Sequence, residues 1–220
     1  MTTQAVKPYK GMAMEGVIAT WYARNARRED EFKRWVRFVN TTVTPGGRVL
    51  EVAPGPGYLS IEVAKSGKYR VTGLDISKSF VEIAQTKARE AGAQVDFRHG
   101  NASDMPFANE SFEFIICTAA FKNFTQPVKA IAEMQRVLTP GGQALIVDLR
   151  RDASRAAVNT MVEAMGLNWI NTWFTKLTFQ QVLLKNAYTP DEIEALVAQT
   201  RFGRCDIRPD AIGMEIWLKK

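Results

Sequence analysis

The residues with the clearest chemistry lie in Glu51-Val52-Ala53-Pro54-Gly55-Pro56-Gly57-Tyr58 and in Asp75 further on. The apolar run Arg48–Val52 carries an acid and ends in a glycine-rich turn. A helix follows over Leu59–Ala64, and a second short strand, Tyr69–Leu74, ends on Asp75. Glycines at a strand-to-helix turn let a ligand lie against bare backbone, because no Cβ holds it away. An acid at the tip of the next strand is placed to take a ribose diol through charge-assisted hydrogen bonds. The pair reads as a nucleoside-cofactor site, with the nucleoside left open. A second group follows the fourth strand, in Thr118-Ala119-Ala120-Phe121-Lys122-Asn123-Phe124. A lysine at a desolvated strand tip can act as a base or hold an anionic substrate; the alternative is a surface lysine beside a turn-forming asparagine. Asp148, near Arg150 and Arg151, is the other catalytic candidate, with simple salt bridging as its alternative.

These groups need strands and helices to hold them. Val17, Ile18, Trp21 and Tyr22 form one apolar helical stripe, and Phe32, Trp35, Val36 and Val39 repeat it at i, i+3, i+4, i+7. Thr44–Gly47 reads as a turn. Strand 48–52, helix 58–66, strand 69–74, helix 79–91, strand 95–98, strand 112–118, helix 127–138 and strand 144–149 then alternate. Thr139–Gly142 is expected to be a turn. That alternation predicts a doubly wound parallel sheet in an α/β fold. Residues 153–186 read as helical and rich in large apolar side chains. Thr189-Pro190-Asp191-Glu192 is a capping box opening a helix to about Gln199. The segments 205–208 and 214–218 read as an antiparallel hairpin. The expected organisation is one domain over 1–220: N-terminal helical lid 1–44, cofactor-binding core 45–150, helical insertion 151–200 and C-terminal hairpin 201–220. Residues 1–11 read as a loose tail.

Composition narrows the classes. At 46% hydrophobic and 24% charged residues, the chain has the balance of an ordinary globular protein. Its start contains no apolar signal core, and no run approaches ~18 apolar residues, so neither a signal peptide nor a membrane span is expected. Two unpatterned cysteines, Cys117 and Cys205, suggest buried thiols in a reducing, cytoplasmic compartment. One histidine, His99, and no CxxC leave no basis for a metal site. The net charge of +6 raises nucleic acid as a partner. Arg24, Arg27, Arg28, Lys33, Arg34 and Arg37 supply much of the charge, but Glu29, Asp30 and Glu31 are interspersed and no RNA-binding motif accompanies them. A solvated helix face is the favoured reading.

Four elements in order give the chain a resemblance. Glu51-Val52-Ala53-Pro54-Gly55-Pro56-Gly57 is similar to an acid-x-Gly-x-Gly-x-Gly turn, with Ala53 for the first glycine. Leu74-Asp75-Ile76-Ser77 is similar to the ribose-binding acid. Gly100-Asn101-Ala102-Ser103-Asp104-Met105-Pro106-Phe107 looks like Gly-Asp-Ala-x-x-Leu-Pro-Phe, and Arg136-Val137-Leu138-Thr139-Pro140-Gly141-Gly142 precedes strand five. Over about 45–150, with the final hairpin agreeing, the chain resembles the class I S-adenosylmethionine-dependent methyltransferases. Its likeness is to the small-molecule branch that includes the ubiquinone and menaquinone C-methyltransferases. Ser60 stands where a dinucleotide fingerprint places a third glycine or alanine, which disfavours a nicotinamide oxidoreductase.

The resemblance implies a Rossmann-like, mainly parallel seven-stranded sheet with an antiparallel C-terminal hairpin and helical lid segments. It implies S-adenosyl-L-methionine as methyl donor, S-adenosyl-L-homocysteine as product, and in-line displacement onto a small, partly apolar acceptor. Gly55 and Gly57 are then expected to bring backbone amides to the methionine portion, with Glu51 bracing the turn or reaching its amino group. Asp75 takes the ribose hydroxyls, Ile76 covers the adenine, Ala102 offers its N–H, and Asn101 stands where the family carries aspartate. Tyr22 and Trp21, after Met12, Met14 and Gly16, are expected to shield the sulfonium, and Trp169, Trp173 and Phe174 to wall an acceptor pocket. Relatives often place Leu-His-His where this chain has Lys122 and Asn123. A base is needed only when the nucleophile arrives protonated. The alternatives are an RNA methyltransferase, against which the Asn/Asp-Pro-Pro-aromatic motif is missing, and a non-catalytic cofactor-binding protein. The oligomeric state stays open, with a homodimer among the options.

Overall fold

A computed structural model describes residues 9–10, 14–25, 29–164, 166, 168–179 and 183–220. Met12, Arg27, Arg28 and Met165 lie outside them. The elements run α1 (Gly16–Asn25), α2 (Glu29–Thr42), β1 (Arg48–Val52), α3 (Tyr58–Ala64), β2 (Arg70–Asp75), α4 (Lys78–Glu90), β3 (Val95–His99) and β4 (Phe112–Thr118). A single 3-10 turn, Phe121–Asn123, precedes α5 (Pro127–Val137) and β5 (Leu138–Leu149). Then come α6 (Arg155–Ala164), α7 (Trp169–Thr178), α8 (Leu184–Asn186), α9 (Pro190–Val197), β6 (Asp206–Pro209) and β7 (Gly213–Lys219).

All seven strands join one sheet in the order β3-β2-β1-β4-β5-β7-β6. The first five are parallel and β7 is antiparallel to both β5 and β6. After β1 the chain moves outward through β2 and β3, then returns to place β4 on the other side of β1. That reversal opens a crevice at the carboxyl ends of β1 and β4, the usual ligand position in such sheets.

Both faces of the sheet are covered. Along β4, Ile115 and Cys117 join Leu50, Val52 and Ile146 under α5 and α9 through Ile131, Met134, Ile193 and Val197. Phe114 and Ile116 face the other way, with Val49 and Leu145, against Trp35 and Val39 of α2 and Leu59 and Val63 of α3. The alternation is the period of two of a strand buried on both sides. Helix starts follow local chemistry. The Ser77 hydroxyl accepts from Phe80 N–H at 3.0 Å and caps α4. The Thr189–Glu192 capping box opens α9 behind Pro190.

Three expectations shift. The predicted turn Thr139–Gly142 lies inside β5: Phe112 pairs with Leu138 and Phe114 with Gln143, so the intervening stretch bulges out of the ladder. The distant C-terminus holds it there, Gly141 N–H donating to Lys220 C=O and Lys220 N–H to Gly142 C=O. The stretch 153–186 is divided among α6, α7 and α8. Tyr9 and Lys10, expected in a loose tail, pair with the segment after β4: Tyr9 bridges Phe124, and Lys10 N–H donates to Asn123 C=O at 2.7 Å.

Candidate active site

The glycine turn is set by backbone conformation. Ala53, Gly55 and Gly57 have φ of 56°, 54° and 78°. Gly57 also leaves no room: a Cβ there would sit 2.5 Å from Phe97 Cζ and 2.8 Å from Ala84 Cβ. Ala53, in contrast, keeps its side chain in the left-handed region, where an L-residue is strained by about 1–2 kcal/mol. The exchange Ala53→Gly is expected to raise stability by about 0.5–1 kcal/mol, the relieved strain less the extra unfolded-state entropy of glycine. Equal or lower thermal stability of the variant would show that the turn is unstrained. Ala119, at the tip of the neighbouring β4, is held the same way at φ 57°. Strain therefore flanks the crevice on both sides, a pattern typical of ligand sites.

Two buried carboxylates organise the turn. Asp75, 5% exposed at the end of β2, accepts Gly55 N–H at 2.9 Å on Oδ2 and Ser77 N–H at 2.8 Å on Oδ1. Burial nevertheless pushes its carboxyl up to about 6. Glu51, 3% exposed in β1, accepts Ser60 N–H at 2.9 Å and Ser60 Oγ–H at 2.5 Å, both on Oε2. Its Oε1 accepts no hydrogen bond from any described residue, and burial pushes this carboxyl up to about 7. Both acids thus favour a cationic or hydroxyl-bearing ligand that would restore what burial removed.

On the β3 side, Asn101 turns its side-chain oxygen inward to accept Ser103 N–H at 2.9 Å, while Asp104 N–H donates to its carbonyl. The amide expected to meet an adenine ring therefore shapes its own loop, with one lone pair of that oxygen still open. Ala102 packs against the core and Ile76 is half-buried, its carbonyl 3.2 Å from His99 Nε2.

On the β4 side, Lys122 and Asp148 meet each other. Lys122 Nζ donates to Asp148 Oδ1 at 2.8 Å and to Ala119 C=O at 2.6 Å. Asp148 Oδ2 accepts Lys122 N–H, and its Oδ1 also accepts Leu149 N–H, each at 2.8 Å. Residue exposures are 4% and 6%. Two of the ammonium's three protons are committed inside the protein, so the pair anchors the turn after β4 to the tip of β5.

The N-terminal helix is fastened beside the glycine turn. Glu15 accepts the N–H groups of Lys78 and Ser79 at 3.0 Å each, capping α4, and Ser77 Oγ–H donates to Met14 C=O at 2.6 Å. Tyr58 O–H donates to Ala23 C=O. Tyr22 lies edge-on to Phe80, centroids 5.8 Å apart, above the residue that Ser77 caps. Val17, Trp21, Trp169 and Trp173 are exposed, so neither tryptophan of α7 is buried against a strand tip. The Phe174 side chain lies outside the described residues. On α2, Arg34 pairs with Glu215 of β7 and stacks on Trp35.

Comparison with known proteins bears on this geometry. The family described as a methyltransferase domain matches residues 49–142. A demethylmenaquinone methyltransferase of Bacillus velezensis is 35% identical over 111 residues, 48% of this chain and 47% of that protein. The ubiquinone/menaquinone biosynthesis C-methyltransferase UbiE of Geotalea daltonii is 31% identical over 122 residues, 53% of this chain and 52% of that protein. The chain spans about half the length of the curated relatives it matches. An Aquifex aeolicus structure described as a SAM-dependent methyltransferase superposes with TM-score 0.63 at 15% identity, over 88% of this chain and 98% of that one. The [4+2]-cyclase SpnF superposes with TM-score 0.56 at 20% identity, over 85% and 80%. At such identities the likeness concerns the fold, and a cyclase among the neighbours shows that fold alone does not choose the reaction.

Glu51, Gly55, Gly57, Asp75, Asn101 and Lys122 all fall inside the stretch that this family matches. Asp148 and Tyr22 come from beyond its ends. Sequence reading missed Glu15, Ala119 and Tyr9. Neither Glu15, which reaches α4 from 63 residues away, nor Tyr9 carried a local signal. Among the described residues, no group of three metal-binding side chains gathers and no helix is long and apolar enough to cross a membrane.

Proposed function

We propose that this chain is an S-adenosylmethionine-dependent methyltransferase acting on a small, partly apolar acceptor, with S-adenosylhomocysteine as product. The observation that carries the reading is the pair of buried carboxylates, Glu51 and Asp75, flanking a glycine turn of positive φ inside the stretch that matches the methyltransferase-domain family. The residues fit the donor. Glu51 Oε1, which accepts no hydrogen bond from any described residue, suits an ammonium group. Asp75 spends one lone pair per oxygen on Gly55 and Ser77, leaving acceptor capacity for two ribose hydroxyls.

When bound, the donor would supply a methyl group on a sulfonium for in-line displacement by the acceptor's nucleophile, with the thioether as leaving group. The protein's part is to hold the acceptor in line and keep water out. Gly55 and Gly57 let the donor lie against backbone. Lys122 and Asp148 fix the turn after β4 by pairing with each other, so among the described residues neither stands there as a free base, which suits an acceptor that ionises readily. The quinone-biosynthesis relatives point to ring-hydroxylated aromatics as the first acceptor class to screen. Arg34 is already paired to Glu215, which favours a small acceptor over RNA. Two free thiols, with the Cys117 thiol held protonated by burial, fit a reducing, cytoplasmic compartment.

Calorimetry with S-adenosylhomocysteine and NADH tests the cofactor. Wild type is expected to bind the former in the micromolar range and not the latter. Asp75→Ala should lose about 1.5–3 kcal/mol, the scale for a hydrogen bond to a charged group. Unchanged affinity in the variant would remove Asp75 from the ribose site.

A further inference from the structure

Helix α1 is held at its two ends. Just ahead of it, Glu15 Oε1 accepts Lys78 N–H and Oε2 accepts Ser79 N–H, each at 3.0 Å. Ser77 Oγ–H donates to Met14 C=O at 2.6 Å, and Gly16 N–H donates to Ser79 Oγ at 2.9 Å. These bonds tie residues 14–16 to residues 77–79, which follow Asp75 at the tip of β2. Towards the other end, Ala23 C=O accepts Tyr58 O–H, and Tyr58 follows Gly57 in the chain. Between the two anchorages Tyr22 meets Phe80 edge-on, and Phe80 Cε2 lies 4.0 Å from where a Cβ on Gly55 would stand.

Apolar burial does little to fix this helix. Among its described side chains only Ala19 and Ala23 are buried, whereas Val17, Ile18, Trp21 and Tyr22 are exposed. A face of two alanines removes little apolar area from water, and an element with few buried apolar contacts opens locally at low cost. The polar anchorages therefore carry much of the attachment. Glu15 is the strong member. Its carboxylate meets two of the N–H groups that α4 leaves unpaired at its positive end, and such charge-assisted bonds exceed neutral ones. Hydrogen bonding to Ser79 holds the Glu15 carboxyl below its ordinary range, so the anchorage stays charged at working pH. The start of α4 also carries Ser77, whose N–H donates to Asp75 Oδ1 at 2.8 Å. One set of contacts thus joins α1 to the carboxylate assigned to the ribose.

We propose that Glu15 is a positioning residue for the methyl donor, locking α1 to the start of α4 beside Asp75 and so slowing the exchange of an adenosyl ligand. The assignment rests on the methyltransferase reading above. Asp75 and the glycine turn lie next to the two anchorages of α1, so a ligand held by both enters and leaves past that helix. Parting α1 from the start of α4 breaks the two bonds to the Glu15 carboxylate, and that cost sets how often the way opens. Glu15 acts through α1 and Ser77 and takes no part in the transfer itself.

The probe is S-adenosylhomocysteine, passed over the immobilised full chain in a surface plasmon resonance cell, which reads association, release and binding capacity separately. Glu15→Ala is expected to release the probe about tenfold faster than wild type, the lower end for a hydrogen bond to a charged group. Association should be no slower and capacity should be retained. Glu15→Gln keeps one accepting oxygen and should fall between the two. Tyr58→Phe removes the far anchorage alone and should speed release by about threefold, the scale of a neutral hydrogen bond. A role confined to folding would lower capacity while leaving the rates of the competent fraction as they are, and that result would overturn the assignment. So would slower association in Glu15→Ala, or release at the wild-type rate. The wild-type trace separates the two readings. No binding there sinks the cofactor reading and this one with it; binding with release unaltered in Glu15→Ala sinks this one alone.

Discussion

Lys122→Met is expected to destabilise the protein by about 3–5 kcal/mol, the range for removing one partner of a buried ion pair. The cost arises from what stays behind. Asp148 would keep the N–H groups of Lys122 and Leu149 but lose the only cation the described residues place on it. The Ala119 carbonyl would lose its 2.6 Å donor at a position already strained at φ 57°. Methionine fills a similar volume, so packing loss contributes little. The double variant Lys122→Met/Asp148→Leu should recover most of the loss, because replacing both partners with apolar groups removes the uncompensated charge. Urea unfolding of the three proteins checks this through the midpoint at constant slope. A loss below about 1 kcal/mol in the single variant would mean that the pair behaves as a solvated surface bridge. S-adenosylhomocysteine binding should survive in Lys122→Met, and turnover should fall as the turn after β4 loosens.

Glu51→Gln is expected to stabilise the protein above neutral pH while weakening donor binding. The Glu51 carboxyl stands at about 7 in the fold against an ordinary value of 4.5, because burial penalises its charge. A folded state that holds the proton more tightly is favoured at low pH. Its contribution is therefore fully present below about 4.5, is lost as pH rises from there to about 7, and stays lost above. Asp75, raised to about 6 by burial, acts in the same direction. The glutamine oxygen can still accept from Ser60 N–H and Oγ–H, so the variant keeps the local contacts and drops the buried charge. At about 1.4 kcal/mol per pKa unit the gain at pH 8 is on the order of 3 kcal/mol, shrinking towards zero near pH 4.5. Calorimetric melting from pH 5 to 8 gives the answer. A variant melting no higher than wild type at pH 8 would show that the buried carboxylate is already compensated. In wild type, an ammonium arriving at Oε1 should drive Glu51 to ionise, so donor binding near pH 7 should release a proton. Titrations in buffers of different ionisation enthalpy would detect it.

Much of the fold was written locally. Ser77 and Thr189 sit one position before their helices with hydroxyls aimed at backbone N–H groups, and the all-apolar core of β4 announces burial on both faces. Gly55 and Gly57 were legible as a strand-to-helix turn because glycine is chosen where the backbone must take positive φ or make room. The φ of both residues and the Gly57 approach to Phe97 and Ala84 show both causes at work. In each case the cause lies within a few residues, or in the side chain's own conformational limits.

Other features depended on which distant segments the crossovers bring together. Thr139–Gly142 carries every mark of a turn, yet belongs to β5 because Lys220 hydrogen-bonds to it. Asn101 spends its side-chain oxygen on Ser103 instead of leaving it wholly free. Lys122 and Asp148, legible as separate catalytic candidates, are one ion pair because β4 and β5 are neighbours and end at the same level. Tyr9 comes from a stretch without periodicity and acquires its place only by pairing with Phe124. The sequence by itself determined the strands, the caps and the chemistry of the glycine turn, since those follow from local propensity and hydrophobic period. Only the tertiary structure decided which charged and polar groups face one another across the crevice. Such partners are far apart in the chain, and hydrogen bonding and desolvation act over a few ångströms of space, however many residues lie between.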